Sequence, residues 1–360
     1  YVLRILQFYR GLFRLKKGEN DRLYSVSVVI PARNEADNIE DCLNALVQQS
    51  YPKEKIEIIV VNDHSTDATS AIIDHYQTDY ENINALHLTQ RSENISPKKY
   101  AISRGIEQST HDIVLTTDAD CIVPKSWLHN MMHYFEEDVG VVCGFVAFNK
   151  KKETTIFHKV QSLEFLSLVI AGAGSIGSDL PLIGNGANLA YRRSVFEEVD
   201  GFAGHEGLIS GDDDLFIQKV ARTTDWHIRF AAENSATVSA NPVHTLRQFL
   251  NQRSRWASKG IHYHNPLFVI YLISVYLFYA ILFFCIPLSF FYSKLMPVVL
   301  IAFSLKIIAD FLLLYKGTIM VQRRDLLKYF PLAELFQIPY ILYVGIAGLL
   351  GQFTWKGKKR

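Results

Sequence analysis

The amino-acid sequence predicts an α/β protein: an open, mostly parallel sheet with helices on both faces, followed by helices that cross a membrane. Two observations carry the first half of that statement. Four short runs, VSVVI (26–30), IEIIVV (56–61), NALHL (84–88) and IVLTT (113–117), are almost unbroken in apolar and β-branched residues. Strands covered on both faces read this way, whereas half-exposed strands alternate. Segments with helical periodicity separate the runs, and a β-α-β-α-β-α-β order implies parallel pairing. A third observation carries the second half. Residues 265–293 contain no charged side chain, a run longer than the ~20 residues a helix needs to cross a bilayer.

The elements follow in order. Residues 1–24 interleave apolar side chains with Arg4, Arg10, Arg14, Lys16 and Lys17. They read as a membrane-proximal segment, either an interfacial helix or the tail of a preceding span. A signal peptide would place its basic residues ahead of the apolar stretch. Residues 25–244 form the α/β domain. Its first strand ends at Pro31, and residues 34–49 carry a helix through Ile39, Leu43, Leu46 and Val47. Ser65 is the expected cap of the next helix, which runs through Ala68, Ile72 and Ile73. Ser96 and Pro97 open a helix over 97–108, and a later one covers 154–170. Residues 245–264 form an interfacial helix. Residues 265–360 form the membrane region, with a second apolar run at 295–315 and a third at 335–355. In the second, Lys306 and Asp310 stand at i and i+4, on one face where they can pair.

With 49% hydrophobic and 20% charged residues, the chain is neither disordered nor collagen-like. Its net charge of +1 hides an asymmetry. Residues 261–360 hold ten basic and three acidic side chains, leaving 27 basic and 33 acidic for the first 260. A nucleic-acid binder would carry a basic stripe on its folded domain, so that class is excluded. Cys42, Cys121, Cys143 and Cys285 are scattered, without zinc-ligand spacing or a disulfide framework, as in a reducing compartment.

In an open α/β sheet, ligands bind beyond the carboxyl ends of the strands. There stand Pro31-Ala-Arg33-Asn-Glu35, Asn62-Asp63-His-Ser-Thr-Asp67 and Asp118-Ala-Asp120. Carboxylates at i and i+2 after a strand can share one hard cation, and such a cation holds a diphosphate. Singly, an Asp-x-Asp is usually a solvated turn, and an Asp such as Asp63 a turn or helix cap. Gathered on one sheet edge, they point to a ligand site.

The runs VSVVIPARNEADNIEDCLNAL, IIVVNDHSTDAT and DIVLTTDAD resemble the inverting family 2 glycosyltransferases of the GT-A fold. Later segments resemble the family in the same order. Pro97-Lys98-Lys99-Tyr100-Ala101 is similar to its lysine-containing stretch, and Gly184-Asn-Gly-Ala-Asn188-Leu-Ala-Tyr-Arg192 to its Gly-Ala-Asn-x-Ala-x-Arg segment. Ser210-Gly-Asp-Asp-Asp214 stands where the family has Thr-Glu-Asp. Gln252-Arg-Ser-Arg-Trp256 matches the Gln-x-x-Arg-Trp motif of the membrane-bound members, and the tail from Phe353 to Gly357 resembles theirs.

The resemblance implies roles. A nucleotide-sugar donor, with a UDP-sugar preferred, would meet Pro31, Arg33, Glu35, Asp63, Lys98 and Asp118. Asp120, with Asp118, would hold Mg²⁺ or Mn²⁺ against the departing diphosphate. Asp212 and Asp213 would supply the general base. Asp213 is the preferred base, because Leu215, Phe216 and Val220 then keep the helix pattern; in the other register it is Asp212. Asn188, Gln252, Arg255 and Trp256 would serve acceptor and diphosphate, with Trp256 stacking on a sugar and Arg255 pairing with phosphate. An interfacial anchor is the competing reading of Arg255 and Trp256.

Gly172-Ala-Gly174-Ser-Ile-Gly177 has the spacing of a dinucleotide loop, but Pro181 forbids the helix such a loop must open. It is expected to be a flexible loop on the acceptor side. The expected function is transfer of one sugar to a lipid, lipid-linked or saccharide acceptor by an integral membrane enzyme whose catalytic domain faces the cytoplasm. A processive polysaccharide synthase is the alternative, and a non-catalytic scaffold the alternative from another class. Pro331, Glu334, Pro339, Gly345 and Gly348 disfavour a straight third span, so 331–355 is expected to be re-entrant or interfacial, with a cytoplasmic C-terminus.

Overall fold

The computed structural model describes residues 1–92, 94–263, 265–355 and 358–359. The sequence-level expectations for Lys356, Gly357 and Arg360 lie outside the described residues. Helix α1 (Val2–Gly11) precedes the α/β domain. There follow β1 (Val26–Ala32), α2 (Ile39–Val47), β2 (Ile56–Asn62), α3 (Thr69–Asp79), β3 (Ile83–His87), α4 (Pro97–Gln108) and β4 (Ile113–Thr116). This is the expected alternation, and β3-β2-β1-β4 pair in parallel. Val28, Val29, Ile58, Ile59, Val114 and Leu115 are fully buried, which explains their unbroken apolar runs.

The chain continues through α5 (Trp127–Met132), β5 (Val139–Gly144), β6 (Val146–Phe148), α6 (Ile156–Ile176), β7 (Leu189–Arg192), α7 (Arg193–Glu198), α8 (Asp214–Thr223), β8 (His227–Ala231) and β9 (Val238–Ala240). These strands extend the sheet to seven, in the order β3-β2-β1-β4-β7-β5-β8. Strand β7 is inserted antiparallel between β4 and β5. A small second sheet pairs β6 with β9.

Several local expectations are corrected. Helix α2 begins only at Ile39, because residues 34–38 form a loop in which Asn34 turns through φ 53°. Ser65 does not cap α3. Its hydroxyl accepts from the Asn34 N–H (3.0 Å), and Ala68 precedes the helix. The glycines at 172 and 174 are not in a loop. Helix α6 runs through them to Ile176, and they are a packing surface. A Cβ on Gly174 would lie 2.4 Å from the Phe8 carbonyl oxygen, and one on Gly11 would lie 2.0 Å from that of Gly174. Small residues let α1 and α6 touch backbone to backbone, as in membrane helix pairs. Gly174→Leu is therefore expected to undock α1 at a cost of ~1–3 kcal/mol. Limited proteolysis should then cut residues 12–24 faster than in the wild type, and an unchanged cleavage rate would contradict this contact.

Helices α9 (Leu246–Ala257), α10 (Pro266–Ser289), α11 (Met296–Met320) and α12 (Phe330–Leu349) complete the chain. Thr245 and Gln248 form a capping box that starts α9. Helices α10 and α11, joined by a short turn, are long and apolar enough to cross a membrane. They expose Ile270, Leu277, Ile281, Phe284, Leu300, Ile301 and Ile308. Helices α6 and α12 also meet that criterion, but more than half of the apolar window in α6 is buried in protein.

Helix α12 is unbroken despite Pro339. It packs both on the membrane hairpin, where Ile338 is buried with Tyr279 and Leu282 of α10, and on the α/β domain and α9. Just before it, Arg323 donates to the Phe148 carbonyl (3.1 Å) and pairs with Glu153 (2.6 Å). In its middle, Tyr340 donates to Glu164 (2.7 Å), and near its end Gly348 lies against Ser254 and Ala257. Its outer stripe of Leu335, Phe336, Tyr343, Ile346 and Leu349 is exposed.

Candidate active site

The strand ends gather as parallel topology demands. After β1 and β2 two loops interlock. The Glu35 N–H donates to Thr69 Oγ1 (2.8 Å), and the Thr66 N–H donates to Asn34 Oδ1 (2.8 Å). Asn34 and His64 both take left-handed backbone (φ 53° and 55°), which turns the chain sharply past the sheet edge. Asp63 is nearly buried, held by Arg33 (3.2 Å) and by His64 Nδ1 (2.9 Å). This cluster adjoins the main cleft but does not line it. The Asn241 side chain connects the two, donating to Asn38 Oδ1 (3.3 Å) and to the Asp120 carbonyl (3.4 Å).

The main cleft has a volume of about 430 Å³ and lies past β4, bounded by the loop before β7, the start of α8, and α9. Asp118 and Asp120 stand at its floor. Their carboxylates and the Cys121 thiol lie within 4.8 Å of one another. Burial, then the charges of Asp118 and Glu35, push the Asp120 carboxyl up to about 6. Two crowded carboxylates that repel each other suit a hard divalent cation, whose charge relieves that repulsion. Cys121 is a poor third donor, since burial and the same carboxylates hold its thiol well above its ordinary value.

Lys98, in the first turn of α4, bridges Asp118 (2.7 Å) and Asp212 (3.1 Å). Burial works against its charge, but Asp118 and Asp212 outweigh it and hold the ammonium above its ordinary value. Its neighbour Lys99 points the other way and is buried. It donates to the carbonyls of His205 (2.5 Å), Leu208 (2.9 Å) and Ser210 (3.2 Å). The two lysines thus fix both the carboxylates and the loop that carries them.

The three carboxylates at the start of α8 diverge. Asp213 caps the helix, accepting from the Asp214 N–H (2.7 Å) and the Gly186 N–H (3.2 Å), and it pairs with Lys259 (3.3 Å). Asp214 is buried, bonded to Lys259 (2.6 Å), the Gly184 N–H (2.9 Å) and the Tyr263 hydroxyl (3.0 Å). Burial leads in pushing its carboxyl up to about 6. Among the described residues, Asp212 makes an ion pair with Lys98 only, and a Cβ at Gly186 would lie 2.9 Å from its Oδ2. Glycine at 186 keeps that approach open. Burial raises the Asp212 carboxyl, but the Lys98 charge outweighs it and holds the group below the ordinary carboxylate value.

From α9, Gln252, Arg255 and Trp256 face the cleft. Among the described residues, Arg255 makes no ion pair within 4 Å; the charges that bear on it are those of Asp212, Asp118 and Asp213. Apolar side chains of α6, α10 and α12, including Phe165, Leu168, Phe268 and Val344, form the opposite wall.

Asn188 lies in the core and not on the cleft. It is fully buried, accepts from Trp127 Nε1 (2.8 Å), and donates to the carbonyls of Phe145 (2.8 Å) and Ala236 (2.9 Å). Its amide is committed to the core and does not line the cleft. Sequence reasoning missed Lys259, Arg253, Glu164 and Tyr340. The available signal for Lys259 was its place four residues after Arg255, in the turn that follows α9.

A mixed sheet with an acidic cleft beyond its strand ends fits the GT-A fold of glycosyltransferases. The family model described as "Glycosyl transferase family 2" matches residues 27–200. Glycosyltransferase AglE of Haloferax volcanii is 30% identical over 233 residues, which cover 64% of this chain and 71% of that protein. Poly-beta-1,6-N-acetyl-D-glucosamine synthase of Staphylococcus aureus is 28% identical over 250 residues, or 67% of this chain and 55% of that protein. The alignment thus spans little more than half of that second relative. The mannosyltransferase PcManGT from Pyrobaculum calidifontis, solved in complex with GDP-Man and Mn²⁺, superposes with a TM-score of 0.61 at 19% identity. That match covers 96% of this chain and 94% of that one, so the two share a fold. The chain belongs to glycosyltransferase family 2.

Proposed function

We propose that this protein is a membrane-anchored, inverting, metal-dependent glycosyltransferase. It moves one sugar from a nucleotide-diphosphate sugar, with a UDP-sugar preferred, to a lipid, lipid-linked or saccharide acceptor. The observation that carries this reading is a single cleft holding Asp118, Asp120, Lys98, Arg255 and Asp212 opposite a wall of apolar side chains from α6, α10 and α12.

Asp118 and Asp120 would hold Mg²⁺ or Mn²⁺, which supplies positive charge against the departing diphosphate. Arg255, which has no ion-pair partner among the described residues, is placed to pair with the same phosphates. Lys98 orients Asp118 and Asp212. We assign the base to Asp212, not to Asp213 as the motif register suggested, because Asp213 is committed to capping α8 and to Lys259. Asp212 takes the proton of the acceptor hydroxyl as that oxygen attacks the anomeric carbon and the bond to the diphosphate breaks. With one base and no covalent intermediate, the configuration inverts. Trp256 and Gln252 line the acceptor side. Asp63 and Arg33 would meet the nucleotide from the adjoining loops.

Incubating the purified chain with a panel of UDP- and GDP-sugars and a lipid extract, followed by mass spectrometry of the products, tests the reading. A single added sugar supports it. A ladder of products indicates a polymerase, and no product with any donor favours a scaffold.

The same proposal sets the topology. Nucleotide sugars are cytosolic, so the catalytic domain faces the cytoplasm, α10 and α11 form a spanning hairpin, and α12 lies along the membrane surface. The contacts made with the domain by Arg323, just before α12, and by Tyr340, and with α9 by Gly348, support this, because a spanning helix of 20 residues would carry its far end ~30 Å away. A single cysteine placed after Arg360, in a variant lacking the native four, is expected to resist an impermeant thiol reagent in intact cells. Labelling from outside would mean that α12 crosses.

A further inference from the structure

At the edge of the acceptor wall, where Arg253 and Tyr340 border the cleft, lies a polar cluster that the proposed chemistry does not use. Arg253 is 2% exposed although it carries a full charge. Its Nε donates to both oxygens of Glu164 (3.1 and 2.9 Å), and its Nη2 donates to Oε2 (2.5 Å). The Tyr340 hydroxyl of α12 donates to the other Glu164 oxygen (2.7 Å). A buried ion pair is costly unless its geometry is good and its remaining valences are satisfied. Here three elements, α6, α9 and α12, meet on one carboxylate.

The same guanidinium touches two members of the Gln-x-x-Arg-Trp motif. Nη1 donates to Gln252 Oε1 (2.5 Å), and the guanidinium lies over the Trp256 ring, 4.2 Å from its centroid. Phe249 lies on it as well, at 4.8 Å. Arginine suits this place because its planar fork can bond a carboxylate edge-on while stacking on aromatic faces. Neither the spacing of the motif nor the donor chemistry requires a charge at 253.

Helix α12 has a second polar foot. Lys306 of α11 is fully buried, donates to Asp310 (2.8 Å) and Gln337 (2.5 Å), and pairs with Glu334. Glu334 and Gln337 lie on α12, about two turns and one turn before Tyr340 respectively. Helix α12 is thus held at one place by the membrane hairpin and at another by the helix that carries Trp256.

We infer that Arg253, Glu164 and Tyr340 form a positioning clamp, through which membrane helix α12 sets the orientation of Gln252 and Trp256. These are positioning residues: although Arg253 and Tyr340 border the cleft, their polar atoms are engaged with Glu164 and Gln252 and not with the cleft carboxylates. The inference rests on the acceptor-side reading of Gln252 and Trp256. It makes acceptor recognition, and not donor binding, depend on how α12 sits.

The test uses the full chain in phosphatidylcholine nanodiscs, with its four tryptophans replaced by 5-fluorotryptophan and read by fluorine NMR. Trp256→Phe assigns the Trp256 signal. Tyr340→Phe keeps the ring and removes one hydrogen bond to a charged group. It is expected to shift the Trp256 signal while Trp127 and Trp226 stay in place, and to leave the affinity for UDP with Mn²⁺ unchanged. In transfer assays it should raise the half-saturating amount of lipid extract by ~10-fold, the scale of one such bond. Arg253→Lys, which keeps the charge without the fork, should do the same to a larger degree. A Trp256 signal unmoved in both variants, or UDP affinity falling in step with acceptor use, would overturn the clamp. Loss of UDP binding in the wild type would instead sink the proposed function, and the NMR comparison would still decide the clamp.

Discussion

Asp212→Asn is expected to abolish turnover, by ~10²-fold or more, while leaving the nucleotide affinity intact. The substitution keeps the size and polarity of the side chain and removes the one property a base needs. In the wild type the Lys98 ammonium, 3.1 Å away, holds the carboxyl below its ordinary value despite burial. The group is therefore ionised and able to accept a proton at neutral pH. Asp213→Asn is the matched control. Asparagine caps a helix about as well as aspartate, so α8 should keep its start. What is lost is the pairing with Lys259, which retains Asp214. Single-turnover rates with saturating donor separate the two variants. A dead Asp213→Asn with an active Asp212→Asn would return the base to the register that the helix pattern suggested.

The second large effect is expected for Asp120→Ala, which should abolish transfer and metal-dependent binding of the donor nucleotide together. Asp120 and Asp118 are the two oxygen donors that meet on the cleft floor. Without the first, a divalent ion keeps one carboxylate that is already shared with Lys98. The substitution should not harm the fold. Asp120 is held with its carboxyl pushed up to about 6, by burial first and then by Asp118 and Glu35, so removing it relieves repulsion. An unchanged or higher thermal midpoint, with no difference between UDP titrations with and without Mn²⁺, is the expected pair of results. Undiminished metal-dependent binding in calorimetry would remove Asp120 from the metal site.

Much of this arrangement was legible in the sequence, and the legible parts share a physical cause. Strands β1, β2 and β4 are buried on both faces, so their side chains carry an unbroken apolar signal; the edge strand β3 is half-exposed and its run is interrupted by Asn84 and His87, yet the observed limits of all four fall within a residue or two of the runs. The acidic strand ends were legible because topology alone sends them to one edge. Strand β7 gave no such signal. Its four residues, Leu189–Arg192, are too short for periodicity, and antiparallel insertion depends on pairing partners far away in the chain. The glycines of α6 misled because glycine marks both a loop and a helix whose backbone is approached closely; only the position of α1 decides between them. Asn188 lies in a segment that matched a family pattern, but whether an asparagine faces a cleft or the core depends on Trp127 and Phe145, which sequence spacing does not bring near. Arg253 was passed over for a similar reason. A charged residue between Gln252 and Arg255 reads as solvated until Glu164 and Tyr340 are placed behind it.

The central claim is that the cleft transfers sugars with a divalent cation. The most direct test is nucleoside-diphosphate release by the purified full chain, measured across a panel of nucleotide sugars with lipid extract present, first with EDTA and then with Mn²⁺ or Mg²⁺ restored. The account predicts release from one donor class only, abolished by EDTA, recovered on adding the metal, and matched by a product of inverted anomeric configuration. Release that is indifferent to EDTA, or no release from any donor, would contradict it.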